Sequence, residues 1–171
     1  MDVSADRRQF ILDIANSEWV DRLSQEARED PEQLDRLEAE WNQKADEFLE
    51  SDAAPAELHL YASYLNWDFG TEPLLKVASH RNCEAATALL IYWRGRPEWY
   101  LQYPTASAVP EHEREVFELL SFIEGRYVSG AYRVGSLEYD PVAEGEVGMY
   151  PDEAARLGRS VPAVMLNAVA T

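Results

Sequence analysis

Apolar residues recur at intervals of three and four over most of this chain, and that period predicts a mainly α fold. Ser4 is a candidate N-cap. Phe10, Ile11, Ile14, Ala15, Trp19, Val20 and Leu23 then share one stripe, which predicts a long amphipathic helix over residues 4–28. Pro31 suits the first position of a second helix, because an N–H there would have no intrahelical partner. Leu34, Leu37, Trp41, Ala45, Phe48 and Leu49 carry that helix to about Glu50. The connection is short, so the two are expected to pair as an antiparallel hairpin over residues 1–52.

The densest apolar pattern lies between residues 56 and 103, and the rest of the chain is expected to be arranged around it. Leu58, Tyr61, Ala62 and Leu65 mark one helix face, after which Asn66-Trp67-Asp68-Phe69 closes on Gly70, a residue suited to a left-handed helix end. Residues 72–79 predict a short helix with Leu74, Leu75 and Ala78 inward. Asn82 is the expected N-cap of a third helix over residues 83–93. That helix is apolar nearly all round, which marks a central, buried element. Residues 98–103 predict a single aromatic-rich turn, and residues 104–110 a surface loop. Pro110 is expected to open a long helix ending near Ser129-Gly130, with Val116, Phe117, Leu119, Leu120, Ile123 and Tyr127 on its apolar face.

From Ala131 the period breaks. Tyr132, Val134, Leu137, Tyr139, Val142, Val147 and Tyr150 alternate with glycine and proline, which is the chemistry of strands or irregular chain. Residues 152–157 predict a short helix that stops at Gly158. Residues 161–169 fit a last helix or an edge strand equally well. The expected architecture is a compact bundle of about six to seven helices with an irregular or short-strand C-terminal segment. All 171 residues are expected to form one domain.

Composition narrows the functions. The chain is 46% hydrophobic and 11% aromatic, enough for a core. Its 32 acids against 15 bases give a net charge of −17, which disfavours nucleic acid and anionic membrane surfaces and favours a basic protein partner. The acids are clustered. Between Glu29 and Glu57 there are eleven, against Arg36 and Lys44, and between Leu137 and Glu153 there are six and no base. The start of the chain has no apolar signal core and no run is long enough to span a membrane, so a cytoplasmic location is expected.

Candidate chemistry is sparse. His80 and Cys83 have ligand-like spacing, but a structural zinc site needs four ligands and no second pair exists. No metal or cofactor is expected. No nucleophile elbow or phosphate loop is present, and Cys83 lies in an apolar helix, so no catalytic residue is assigned. Asp68 is the one carboxylate inside the aromatic segment. It is read as an Asx-type turn residue with Asn66, against an alternative in which desolvation makes it an acid or base.

One resemblance is carried by the central stretch. Leu58-His59-x-x-Ala62, Asn66-Trp67-Asp68-x-Gly70, His80-x-Asn82-Cys83 followed by Thr87-Ala88-Leu89-x-Ile91-x-Trp93, and Pro97-x-x-Tyr100 resemble the bacterial family known as domain of unknown function 4274. The resemblance covers roughly residues 56–103 and implies a small helical fold, with Asn66, Trp67, Asp68, Gly70, Cys83 and Trp93 as structural motif residues. The family has no established activity. Families like it often lie in bacterial toxin and immunity neighbourhoods, type VI secretion among them.

The expected function is therefore a bacterial immunity protein that occludes a basic cognate toxin, with a nuclease effector as one form of it. Asp140, Glu144, Glu146, Asp152 and Glu153 are the first candidate contact residues, and Glu38, Glu47 and Glu50 the second. The alternatives are a small enzyme or ligand-binding module with a pocket around Asn66, Trp67, Asp68 and His80, and a structural or adaptor protein.

Overall fold

Ser4 starts the first helix as expected, its Oγ accepting the Arg7 N–H at 3.4 Å in a computed structural model that describes residues 3–147, 156 and 159–169. That helix, α1 (Ala5–Asn16), is shorter than the apolar stripe predicts. Ser17 adopts a left-handed conformation with φ 54°, and the chain continues as a 3-10 turn over Glu18–Arg22 and a one-turn helix, α2 (Gln25–Arg28). Two contacts account for the break. Trp19 turns inward to stack on Trp41 at 6.0 Å with 12° between the rings, and Arg22 folds back onto the buried Asp13 carboxylate. A stacked indole pair and a paired buried acid outweigh the continuation of one amphipathic helix.

The second helix, α3 (Pro31–Glu50), has Pro31 in its first turn, and Asp30 Oδ1 accepts the Glu32 and Gln33 N–H groups, both at 3.1 Å. It runs antiparallel to α1. Arg7 lies over the Phe48 ring, Phe10 meets both Phe48 and Trp41, and Trp19 meets Trp41, so contacts advance along α1 as they retreat along α3. Next comes α4 (Pro55–Tyr64), where Glu57 reaches back to the Ala54 N–H at 2.8 Å and also pairs with Arg7.

The centre is α6 (Ala85–Arg94). Every residue from Ala85 to Trp93 is buried, as a helix apolar all round requires. Around it pack α4, α5 (Glu72–Ser79), the single turn α7 (Pro97–Tyr100) and α8 (Arg114–Val128). Most of the buried apolar residues form one cluster from Ile11 to Val169. Eight α-helices lie among the described residues, six of them of eight residues or more. The chain is mainly helical and has no sheet there.

Several boundaries differ from expectation. Asn82 is not the cap of α6, because its side chain is bonded to Asp52 Oδ1 at 2.7 Å and the Ala53 carbonyl at 2.9 Å, while Glu84 stands at the cap position in extended conformation. On α5 the inward residues are Leu74, Val77 and Ala78, and Leu75 is 40% exposed. A 3-10 turn over Glu111–Glu113 separates Pro110 from α8, whose end is followed by Gly130 at φ 73°. Beyond it the chain makes two isolated bridges, Glu84 with Arg133 and Tyr139 with Val169. The 161–169 segment takes something of both readings, with a 3-10 turn over Ala163–Leu166 and a terminal antiparallel bridge at Val169. Trp93 Nε1 donates to the Met165 carbonyl at 2.7 Å and ties this segment to the central helix. The short helix expected over 152–157, with its stop at Gly158, lies outside the described residues, residue 156 excepted.

Candidate functional site

The two acidic patches have different fates. In the later one, Asp140 Oδ1 accepts the Val142 and Ala143 N–H groups at 2.9 and 3.1 Å, so this carboxylate closes its own turn. Glu146 lies 3.6 Å from Arg94 Nε. Glu144 is exposed, and Asp152 and Glu153 lie outside the described residues.

The α3 patch is presented to solvent. Glu32, Asp35, Glu38, Glu40, Asp46, Glu47 and Glu50 are all exposed on one 20-residue helix. Lys44 pairs with Glu40 at 2.6 Å and Lys76 with Asp46 at 2.8 Å. Among the described residues, Glu32, Asp35, Glu38, Glu47 and Glu50 form no ion pair. The helix can hold this charge because its apolar stripe, ending in the buried Phe48 and Leu49, is anchored on α1 and α4.

The motif turn is built as its residue types dictate. Asn66 Oδ1 accepts the Asp68 N–H at 3.0 Å, a 3-10 turn spans Trp67–Phe69, and Gly70 closes it at φ 85° by donating to the Trp67 carbonyl at 3.0 Å. Asp68 itself is exposed. Trp67 packs toward α6, where a Cβ on Gly95 would sit 2.6 Å from Leu120 Cδ2 and 3.3 Å from the Trp67 ring. A side chain there would have to displace Leu120 and crowd Trp67, so glycine lets α6, α8 and the turn approach closely.

Trp67 also lines a cleft of about 440 Å³ with Arg94, Arg96, Trp99, Tyr100 and Glu113. Trp99 is 45% exposed and its Nε1 donates to Glu113 Oε2 at 3.1 Å. Burial, aided by Glu113, pushes the Tyr100 hydroxyl up to about 12. Arg94 donates to the Ser63 carbonyl, and Arg96, left-handed at φ 57°, lies 3.6 Å from the buried Glu98. Trp93 takes no part, being wholly buried in the core.

His80 sits at another place, the α3–α4 junction. Its Nδ1 accepts the Asn82 N–H at 3.0 Å and its Nε2 donates to the Ser51 carbonyl at 2.9 Å, an assignment fixed by the first bond. His80 is thus a junction residue tied to Ser51, while Trp67 faces the cleft beside α6. Cys83 is buried, and burial pushes its thiol up to about 12, which leaves it an unreactive thiol. Among the described residues, no group of three or more His, Cys, Asp or Glu side chains is placed to hold a metal ion, and no helix is long and apolar enough to cross a membrane.

Three acids that the sequence reading passed over are buried. Asp13 meets Arg22, Glu98 meets Arg96, and Glu84, 3% exposed, accepts from Arg133 Nη2 at 3.3 Å and the Leu137 N–H at 3.2 Å. Glu84 had a signal, as the one charge inside the apolar run from Cys83 to Trp93. His59 is half-buried, its Nδ1 3.1 Å from Oγ1 of the buried Thr87. Burial, then the nearby Arg94, holds its pKa below the usual histidine value.

A family model described as "Domain of unknown function (DUF4274)" matches residues 53–128, from the residues leading into α4 to the end of α8. This is the family the motif residues resemble, over a longer span than the motifs themselves. The matched span carries the central helix, the motif turn and the residues lining the Trp67–Trp99 cleft. The acidic helix α3 and the segment after Gly130 lie outside it. No curated protein and no solved structure matches the chain.

Proposed function

We propose that this chain is a bacterial immunity protein, which docks a basic cognate toxin on the carboxylates of α3 and blocks the toxin's active site by covering it. The observation that carries this reading is the row of exposed acids on α3, Glu32, Asp35, Glu38, Glu47 and Glu50, which form no ion pair among the described residues and are held on a helix whose other face is locked to the core. Such a surface raises encounter rates with a partner of opposite charge. A nuclease effector is one partner that fits, because a site that holds phosphates is basic. Of the two acidic patches, α3 is the better platform, since Asp140 and Glu146 already serve contacts within the chain. The test is co-expression with the product of the adjacent reading frame. Joint purification and loss of the toxin's activity are expected, with the complex weakened by Glu38→Gln, Glu47→Gln and Glu50→Gln together. A toxin that stays fully active beside a stoichiometric excess of this chain contradicts the reading.

A second reading is a ligand-binding module that uses the Trp67–Trp99 cleft, which of Asn66, Trp67, Asp68 and His80 includes only Trp67. Two guanidinium groups beside two indoles favour a planar, anionic ligand there. Quenching of tryptophan fluorescence by such a ligand, abolished in Trp99→Ala, is its test. Quenching that persists in Trp99→Ala removes it.

A further inference from the structure

The motif turn sends Trp67 and Phe69 to opposite sides. Trp67 is partly buried against Gly95, whereas Phe69 is 50% exposed. Phe69 lines two clefts at once. One, of about 470 Å³, has Leu75, Leu119 and Phe122 as its apolar surface and Glu72, Glu115 and Glu118 on its rim. The other, of about 210 Å³, is bounded by Ile14, Trp19 and Trp41, with Asp13 and Glu38 beside them. The clefts meet at Phe69, so a strip whose apolar surface is the exposed Phe69 and Leu75 with the half-buried Trp41 and Phe122, interspersed with polar groups, runs from α3 across the turn to the α5–α8 groove.

The charge along this strip is of one sign. The ionisable residues lining both clefts are Asp13, Glu38, Glu72, Glu115 and Glu118, and no base lines either. Arg22 pairs with Asp13 and Lys76 with Glu72, while Glu38, Glu115 and Glu118 form no ion pair among the described residues. Exposed Phe69 and Leu75 beside clefts rimmed by carboxylates are the kind of side chains that anchor a partner. The acidic rim selects the partner, because Lys and Arg carry long apolar stems that can cross the strip and end on carboxylates.

We infer that this strip is the anchoring groove for a basic amphipathic helix of a partner protein, with Phe69 and Leu75 as the central contacts. The mode is helix-in-groove, with apolar residues at i, i+3, i+4 and i+7 entering the clefts and Lys or Arg at their flanks meeting Glu38, Glu115 and Glu118. The inference rests on the reading of this chain as a binder of basic proteins and adds where the partner is gripped. The outer carboxylates of α3 steer the approach, and the strip supplies the buried anchors that charge alone does not.

The probe is a synthetic 18-residue Lys/Leu peptide with leucines on one helical stripe, set against a scrambled peptide of identical composition. Fluorescence anisotropy at 150 mM salt gives affinities, and amide chemical shifts give the site. Striped peptide binding the wild type, with shifts centred on residues 69–75 and 115–122, is expected. Phe69→Ala and Leu75→Ala should each weaken it by about tenfold or more, the loss typical of a central anchor. Both are surface positions, and an unchanged circular dichroism spectrum shows that the variants fold. If the striped and scrambled peptides bind alike, with shifts on the outer face of α3 and no effect of Phe69→Ala, the groove is overturned while the acidic-platform reading stands. If neither peptide binds, both fail.

Discussion

Gly135→Ala should destabilise this chain, although it adds one methyl group at a partly exposed position. A Cβ at residue 135 would lie 1.9 Å from Glu84 Oε1, 2.1 Å from its Cδ and 2.4 Å from Oε2, inside the carboxylate. Gly135 does not occupy the left-handed region, so the effect is steric rather than conformational. Glu84 must leave, and with it go the bonds to Arg133 Nη2 and the Leu137 N–H. Hydrogen bonds to a charged group contribute about 1.5–3 kcal/mol each. A buried charge parted from its partner costs about 3–5 kcal/mol. Arg133 is largely exposed, which screens its share and puts the expected loss near the lower figure, about 3 kcal/mol. With a urea slope of about 2 kcal/mol/M, the unfolding midpoint should fall by about 1.5 M. Gly125→Ala is the control. That glycine is exposed within α8 with nothing near its ideal Cβ, so alanine should stabilise by roughly 0.5–1 kcal/mol. In a Glu84→Ala background the penalty of Gly135→Ala should vanish, since the obstructing carboxylate is gone. A penalty that persists undiminished there, or a Gly135→Ala midpoint equal to wild type, would refute the reasoning.

Other consequences are testable alone. The folded state holds His59 below its ordinary pKa of about 6.5, so the unfolded chain takes up the proton first; stability is full above that pH and falls as pH drops below it, and His59→Gln should flatten urea midpoints between pH 7.5 and 5. The groups facing His59 are Thr87, Arg94 and Glu84. Cys83 should resist a thiol reagent at pH 8 in the native state and react at the rate of unfolding, and rapid native labelling would contradict its burial. Trp93→Phe leaves the Met165 carbonyl without its donor and should cost about 1–3 kcal/mol by urea unfolding, with faster hydrogen exchange over residues 163–169.

The helical body was legible because its signals are local. The stripes of α3, α4, α6 and α8, the Ser4 cap, Pro31 at the start of α3, and the Asn66–Gly70 turn follow from periodicity and turn chemistry. What escaped depends on long-range partners. The break at Ser17 is decided by Trp41, which lies beyond a local window around Trp19, and by the Asp13–Arg22 pair, which apolar periodicity does not register. Asn82 is an acceptable cap by type, yet Asp52 and Ala53, thirty residues away, claim its side chain. Leu75 fits an inward position on α5 as well as Val77 does, and the helices packed around α5 decide between them. For the acidic patches, the sequence counts charges without saying which are already engaged, and Asp140 and Glu146 show the difference. The Trp67–Trp99 cleft was invisible for the same reason, since its walls come from the motif turn, the end of α6, α7 and α8.

The most direct measurement is the association rate with the proposed basic partner by stopped flow, from 20 to 500 mM salt. Charge steering from α3 predicts that the wild-type rate falls by roughly 10- to 1,000-fold over that range, and that Glu38→Gln, Glu47→Gln and Glu50→Gln together flatten the dependence at low salt while dissociation changes little. A rate indifferent to salt, or one the triple substitution leaves untouched, would contradict it.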